Sequence, residues 1–82
     1  MPTILRFAGL RVVIYLNDHR PAHVHVIGNG CEAVFRIYCR ECQVSLRENY
    51  GFRRADLTRI ENELRLQLHR ICQEWEKIHG IE

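Results

Sequence analysis

The stretch from His23 to Tyr38, HVHVIGNGCEAVFRIY, is the part of the sequence that decides the fold. It contains two runs in which apolar and polar residues alternate, the pattern of half-buried β-strands. Asn29-Gly30 separates the runs and predicts a two-residue hairpin turn, because both residues tolerate a positive φ angle. This turn sets the register of the hairpin and places His23 opposite Arg36.

The predicted register divides the hairpin into two faces. One face is apolar and is expected to pack into the core: Val24, Val26, Ala33, Phe35 and Ile37. The other face carries His23, His25, Arg36 and Tyr38. Side chains that can exchange protons or hold anions are therefore predicted to share one side of the sheet.

The strand pattern continues on both sides of this hairpin. Strands are predicted over residues 3–8, 11–16, 23–27 and 32–38, and Gln43 to Leu46 fits either a fifth strand or a helical turn. The first hairpin is predicted to turn at Gly9-Leu10, which pairs Phe7 with Val12. Its apolar set is Leu5, Phe7, Val12, Ile14 and Leu16, whereas Arg6, Arg11 and Tyr15 point to the side of the histidines.

The C-terminal part of the chain predicts one helix over residues 53–79. Its apolar residues recur at intervals of three or four: Leu57, Ile60, Leu64, Leu68, Ile71, Trp75 and Ile78. Such a helix is about 40 Å long, more than a small sheet can cover, so we expect it to bend or to overhang. The predicted fold is a single α+β domain over residues 1–82, with a mostly antiparallel four- to five-stranded sheet backed by one long helix.

The composition excludes several classes of protein. With 46% hydrophobic and 27% charged residues, the 82-residue chain is typical of a globular domain. No apolar run reaches the roughly 18 residues of a membrane span. The N-terminus lacks a cationic leader before a long apolar run, so we expect a cytosolic protein with no membrane contact whose four cysteines are reduced.

The cysteines offer one motif, Cys39-x-x-Cys42, with the spacing of redox and zinc sites. A single pair outside a βαβ unit is a weak signal, and incidental thiols are the favoured interpretation. Cys72 lies beside the apolar stripe of the helix and is expected in the core, whereas Cys31 at the hairpin is expected to be exposed.

Three of the five histidines, His19, His23 and His25, stand within seven positions. The simplest interpretation is that they are structural or surface residues. A zinc site is an alternative, because His23 and His25 can converge on one ion, with His19 or Asp18 as the third ligand. A fourth ligand would then have to come from Glu32 or Glu41.

Binding of an anion or of RNA is the third interpretation. His19, His23, His25 and Arg36 have the side chains of a metal-independent ribonuclease, which needs an acid, a base and a cation. The binding residues predicted around them are Arg6, Arg11, Tyr15, Asp18 and Tyr38. A solvated sheet face without a ligand is the alternative to this interpretation.

The chain also resembles the domain of unknown function 4160 family of small bacterial proteins. The resemblance covers nearly the whole chain and is carried by Met1 to Ile4, Gly9, Asn17 to Val26, Glu32-Ala33, Asn49 to Phe52 and Trp75. The chain departs from the common family pattern at Ala22 and Arg53. The resemblance implies a component of a two-gene module of the toxin–antitoxin type.

Together these observations predict a small cytosolic component of a toxin–antitoxin-like module that binds RNA or another phosphate-bearing ligand through its His/Arg sheet face. Metal-independent cleavage of RNA would follow from the same residues. The alternative is a non-enzymatic protein-interaction module whose histidines are structural or bind zinc. The candidate partners are RNA, a cognate small protein encoded nearby and a second copy of the chain.

Overall fold

The computed structural model of the chain describes residues 3–80 and contains five strands followed by two helices. The elements are β1 Thr3–Phe7, β2 Leu10–Val13, β3 His23–Gly28, β4 Cys31–Tyr38, β5 Gln43–Tyr50, α1 Arg54–Leu66 and α2 Leu68–His79. The strands form one sheet in chain order, and every neighbouring pair is antiparallel. The predicted α+β class is confirmed. The single domain predicted over residues 1–82 includes residues 1, 2, 81 and 82, which lie outside the described residues.

The central hairpin has the register that the sequence predicts. Asn29 and Gly30 have φ angles of 54° and 75°, and His23 pairs with Arg36 across β3 and β4. All five residues of its predicted apolar face lie in the core. The two-residue turn and alternation therefore predict this buried face, although Val34, on the face of the histidines, is also buried.

The first hairpin turns one residue earlier than predicted. Ala8 and Gly9 take the positive φ angles of the turn, so Phe7 pairs with Leu10 and not with Val12. This change moves the pairing by two residues, so Leu5, Phe7, Val12 and Ile14 still pack on the core. A register shift lies between Thr3 and Leu5, and Ile4 is also in the core. Leu16 leaves its predicted face: it is 74% exposed, because β2 ends at Val13 and the chain leaves the sheet before Leu16.

The predicted single helix is two consecutive helices. The chain bends at Gln67, with φ −102° and ψ 10°, while the N–H of Gln67 still donates to the carbonyl of Glu63. A straight helix of about 40 Å would exceed the longest dimension of the molecule, which is 32 Å. The bend keeps the apolar stripe buried on both sides of it, at Leu64 and Leu68.

The helices cover the apolar face of the sheet. Trp75, Ile71, Ile60 and Leu64 lie against the inward side chains of the strands, and these side chains form one continuous core. Neither helix in the described range has the length and hydropathy needed to cross a membrane.

A disulfide joins Cys39, just after β4, to Cys72 on α2. The prediction of reduced thiols is therefore wrong for these two residues, although Cys72 does lie in the core as expected. Cys42 is exposed and free, and Cys31 is free and half-buried. Spacing pointed to Cys39 and Cys42, but packing of α2 across the end of β4 brings a cysteine 33 residues away to Cys39.

Candidate metal centre

The loop between β2 and β3 holds Asp18 in place beside the sheet. The carboxylate Oδ2 of Asp18 accepts a hydrogen bond from the N–H of Tyr15 at 3.0 Å, and the N–H of Asp18 donates to the carbonyl of Tyr15 at 3.1 Å. These reciprocal bonds close a compact turn, so the second carboxylate oxygen, Oδ1, remains available. It points toward the first residues of β3.

Asp18, His23 and His25 form a half-buried cluster. The Oδ1 atom of Asp18 lies 3.5 Å from Nε2 of His23 and 3.4 Å from Nε2 of His25. The three side chains are only 12–15% exposed, and their three ligand-type atoms all lie within 4.8 Å of one another. Alternation along β3 makes this possible, because it places His23 and His25 on the same face two residues apart.

The Nδ1 atom of each ring, on the side away from Asp18, lies beside a hydrogen-bond acceptor. Nδ1–H of His23 donates to the carbonyl of Pro21 at 2.8 Å. A carbonyl can only accept, so the short contact with Pro21 assigns the proton of a neutral His23 ring to Nδ1. His25 lies between two carboxylates, with Nδ1 3.3 Å from Glu32 and Nε2 3.4 Å from Asp18. The Nε2 atom of His23 then directs its lone pair toward the Asp18 carboxylate, and the Nε2 atom of His25 faces the same carboxylate.

Rings from the loop and from α2 fix the orientation of the two imidazoles. The Tyr15 ring meets the His25 ring edge-on at 4.7 Å between centroids, and the His23 ring lies 5.3 Å from His25. On its other side, the His23 ring lies 5.6 Å from the buried ring of Trp75. The cluster is thus supported from the core side by the second helix.

The end of α2 also contacts the loop that carries Asp18. Nε2–H of His79 donates to the carbonyl of Tyr15 at 3.1 Å, and Arg20 donates to the carbonyl of His79 at 3.4 Å. The His79 ring lies 4.2 Å from the ring of Trp75. These contacts hold the loop in position relative to the helix.

One acidic side chain of β4, Glu32, contacts His25, and Glu48 of β5 lines the same groove as His25. Glu32 accepts from His25, and its neighbour across the strands is Tyr50. The Tyr50 hydroxyl donates to Oε1 of Glu48 at 2.7 Å. This hydrogen bond, together with the negative charges of Glu48 and Glu32, raises the pKa of the exposed Tyr50 phenol above its ordinary value.

The predicted catalytic residues are only partly brought together. The rings of His23 and His25 lie close together. His19 is exposed and, among residues 3–80, is not part of the cluster of Asp18, His23 and His25. Arg36 on β4 pairs with His23 on β3, but its guanidinium lies over the ring of Tyr38, 4.6 Å from the ring centroid. Its Nε atom is buried and has no hydrogen-bond partner in the described part of the chain.

The predicted binding residues separate into two groups. Asp18 and Tyr15 belong to the centre itself, Asp18 as a potential ligand and Tyr15 through its ring and backbone. Arg6 and Arg11 pair with each other across β1 and β2, and Arg11 is opposite Ile27 on β3. They therefore lie in a different row of the sheet from His25, which pairs with Val13.

Sequence reasoning missed the residues that orient the two imidazoles. Glu32 was considered as a fourth ligand, but it accepts from Nδ1 of His25 and so lies behind the ring. The hairpin register could have revealed the contact of Glu32 with His25. Glu32 pairs with Ile27, which lies two residues from His25 along β3. The acceptor at Pro21 is a backbone carbonyl, so no residue type in the sequence marks it, and only the fold shows that it binds His23.

The fold and this cluster define a small α+β protein with a group of two histidines and one carboxylate where the loop after β2 meets the start of β3. Residues 9–76 match the family model of the domain of unknown function DUF4160, and the chain belongs to that family. Neither the search of curated proteins nor the search of solved structures found a match.

Proposed function

We propose that the protein binds a divalent transition-metal ion, with zinc as the first choice, through Asp18, His23 and His25. Two imidazoles and one carboxylate are a usual ligand set for zinc. In such sites each histidine donates its other N–H to a carbonyl or a carboxylate. Pro21 and Glu32 accept those two bonds here.

The separation of the ligand atoms carries this proposal. A tetrahedron with metal–ligand bonds of about 2.0–2.1 Å has edges of about 3.3–3.4 Å. The Oδ1 atom of Asp18 lies 3.4 and 3.5 Å from the two Nε2 atoms. Two of the three separations therefore match the edges of such a tetrahedron, and the two Nε2 atoms lie within 4.8 Å of each other.

Zinc titration with a competing chromophoric chelator tests the proposal. We expect one zinc ion per chain, with affinity lowered at least about 100-fold in Asp18→Asn and in His25→Ala. Asp18→Asn is informative because its amide oxygen can still accept from Tyr15 N–H and so preserve the loop. Glu32→Leu removes only the orienting bond, so a loss of about 10- to 100-fold is expected.

Matched controls separate the site from general binding by histidine. His69→Ala removes an exposed histidine from α2, and His19→Ala removes the exposed loop histidine. Both variants are expected to bind zinc as the unaltered chain does. If His25→Ala is shown by circular dichroism to be folded and binds zinc as tightly as the unaltered chain, this metal centre is ruled out.

RNA binding with metal-independent cleavage is a second candidate function. It is supported by the 5.3 Å separation of the His23 and His25 rings, which suits a general acid and base acting together. We expect any such cleavage to persist in EDTA and to be lost in His23→Ala/His25→Ala. Cleavage that stops in EDTA would instead assign the activity to the metal centre.

The remaining proposals are drawn from the family resemblance and from composition. They are a role in a toxin–antitoxin-like pair, a small protein partner, a second copy of the chain as partner, and a cytosolic location. A module that only binds another protein is the corresponding alternative. It is supported by two exposed apolar side chains, Leu16 and Leu66, which are 74% and 79% exposed.

A further inference from the structure

The groove that contains Asp18, His23 and His25 is also lined by polar residues that metal binding does not use. Its volume is about 330 Å³, and its lining includes Asp18, Arg20, His23, His25, Arg47 and Glu48. This volume lies at the lower end of the range of small-ligand sites. The cluster therefore opens onto a space that can admit a small molecule.

Arg47 enters this groove through an irregularity in the sheet. Val34 pairs with Glu48, whereas the next residue, Phe35, pairs with Leu46, so Arg47 has no partner on β4. Such a β-bulge changes the direction of a side chain relative to the regular alternation. Here it places an arginine among the groove residues beside His25 and Asp18.

The guanidinium of Arg47 is available for a ligand. It makes no hydrogen bond or ion pair with any other residue of the described range 3–80. The neighbouring carboxylate of Glu48 accepts a hydrogen bond from the Tyr50 hydroxyl. An arginine presents a planar set of donors that suits an oxyanion.

The proposed metal centre also has a coordination position that an oxyanion can fill. Asp18, His23 and His25 supply three ligands, and a tetrahedral ion takes a fourth. A divalent ion with one carboxylate and two neutral imidazoles keeps a net charge of +1. Among the other charged side chains that line the groove, Arg20 and Arg47 are positive and Glu48 is negative. With the ion, the groove therefore carries an excess of positive charge that favours an anion.

We propose that this groove binds a tetrahedral oxyanion of the phosphate class. One oxygen completes the coordination of the metal, and others accept hydrogen bonds from Arg47. This inference rests on the proposed metal function and names the class of ligand that the same site takes. Inorganic phosphate, a small phosphate ester and the backbone of RNA share this chemistry.

Cobalt-loaded protein tests the proposal, because the visible absorption of Co²⁺ reports its coordination. Titration with Co²⁺ first shows whether the centre binds a metal. Titration of that complex with inorganic phosphate, at constant ionic strength with chloride as the reference anion, then should change the spectrum with saturation. In Arg47→Ala we expect cobalt binding to persist and phosphate affinity to fall at least about tenfold.

Arg59→Ala is the matched control, since it removes an exposed arginine of α1 outside the groove. It should leave the phosphate response unchanged. A cobalt spectrum that phosphate does not alter, or an equal response in Arg47→Ala, would overturn the inference and leave metal binding intact. Failure to bind cobalt at all would overturn both proposals.

A further arm of the experiment identifies the source of the phosphate group. A short RNA oligonucleotide is added to the complex of protein, cobalt and phosphate. Displacement of phosphate by RNA assigns the site to the phosphodiesters of a polymer. If phosphate stays bound in the presence of RNA, the site is assigned to free phosphate or a small phosphate ester.

Discussion

Replacement of Trp75 by alanine is expected to lower the free energy of unfolding by about 3–5 kcal/mol. Trp75 is 1% exposed and is among the largest fully buried side chains of the core. Its removal leaves a cavity between α2 and the sheet. For a chain of this length the total stability is of the order of 4–12 kcal/mol, so the alanine variant is close to unfolding.

Trp75→Phe keeps this prediction measurable. The indole Nε1 atom is buried and has no hydrogen-bond partner among residues 3–80, so phenylalanine removes no hydrogen bond. We expect it to retain most of the stability in a urea titration. Leu66→Ala is the control for loss of an apolar side chain, because Leu66 is 79% exposed and its change should stay within about 0.5 kcal/mol. A loss below about 1 kcal/mol in Trp75→Ala would contradict the packing described.

Trp75 also links stability to the metal centre. Its ring contacts both His23 and His79, and His79 donates to the carbonyl of Tyr15 in the loop that carries Asp18. In Trp75→Ala the ring of His23 loses its neighbour on the core side. We therefore expect the residual folded fraction to bind zinc more weakly than Trp75→Phe does.

Loss of the disulfide is the second large effect. Cys39 and Cys72 close a loop with a sequence separation of 33. Restricting the unfolded chain over such a loop contributes about 3–4 kcal/mol by loop-closure entropy. We expect Cys39→Ala/Cys72→Ala to lose about that amount in urea unfolding under non-reducing conditions.

The other two cysteines provide the control for this measurement. Cys31→Ala/Cys42→Ala leaves the disulfide intact, since both residues are free thiols. This variant should remain close to the unaltered chain and should still be destabilised by a thiol reductant. A reductant should have no further effect on Cys39→Ala/Cys72→Ala. Equal stability of the two double variants would show that the crosslink does not form in solution.

The central hairpin was predictable because its determinants are local. Asn29-Gly30 selects a tight turn, and alternation then assigns each side chain to a face, as the pairing of His23 with Arg36 confirms. The first hairpin was harder to predict, because either Ala8-Gly9 or Gly9-Leu10 can form a two-residue turn around the same glycine. The two choices place the same residues on each face, so Val12 and Ile14 are buried as predicted, whereas the buried Ile4 and Leu10 were not in the predicted set.

The candidate site was predictable only in part. That His23 and His25 share a face follows from their spacing, but the choice of Asp18 over His19 as the third member depends on the turn closed at Tyr15. The direction of Arg36 depends on the nearby ring of Tyr38. Neither contact has a periodic signature, because each involves the path of a loop or the rotamer of a long side chain.

The α+β class, the register of the central hairpin, the apolar stripe of the helical segment and the shared face of His23 and His25 are all encoded in local sequence patterns. These features follow from periods of two and of about 3.6 residues, which act over short distances along the chain. The break at Gln67, the joining of Cys39 to Cys72 and the convergence of Asp18 on both histidines instead depend on tertiary packing. These depend on how α2 and the loop pack against the sheet, so they arise from contacts between residues that no local pattern relates.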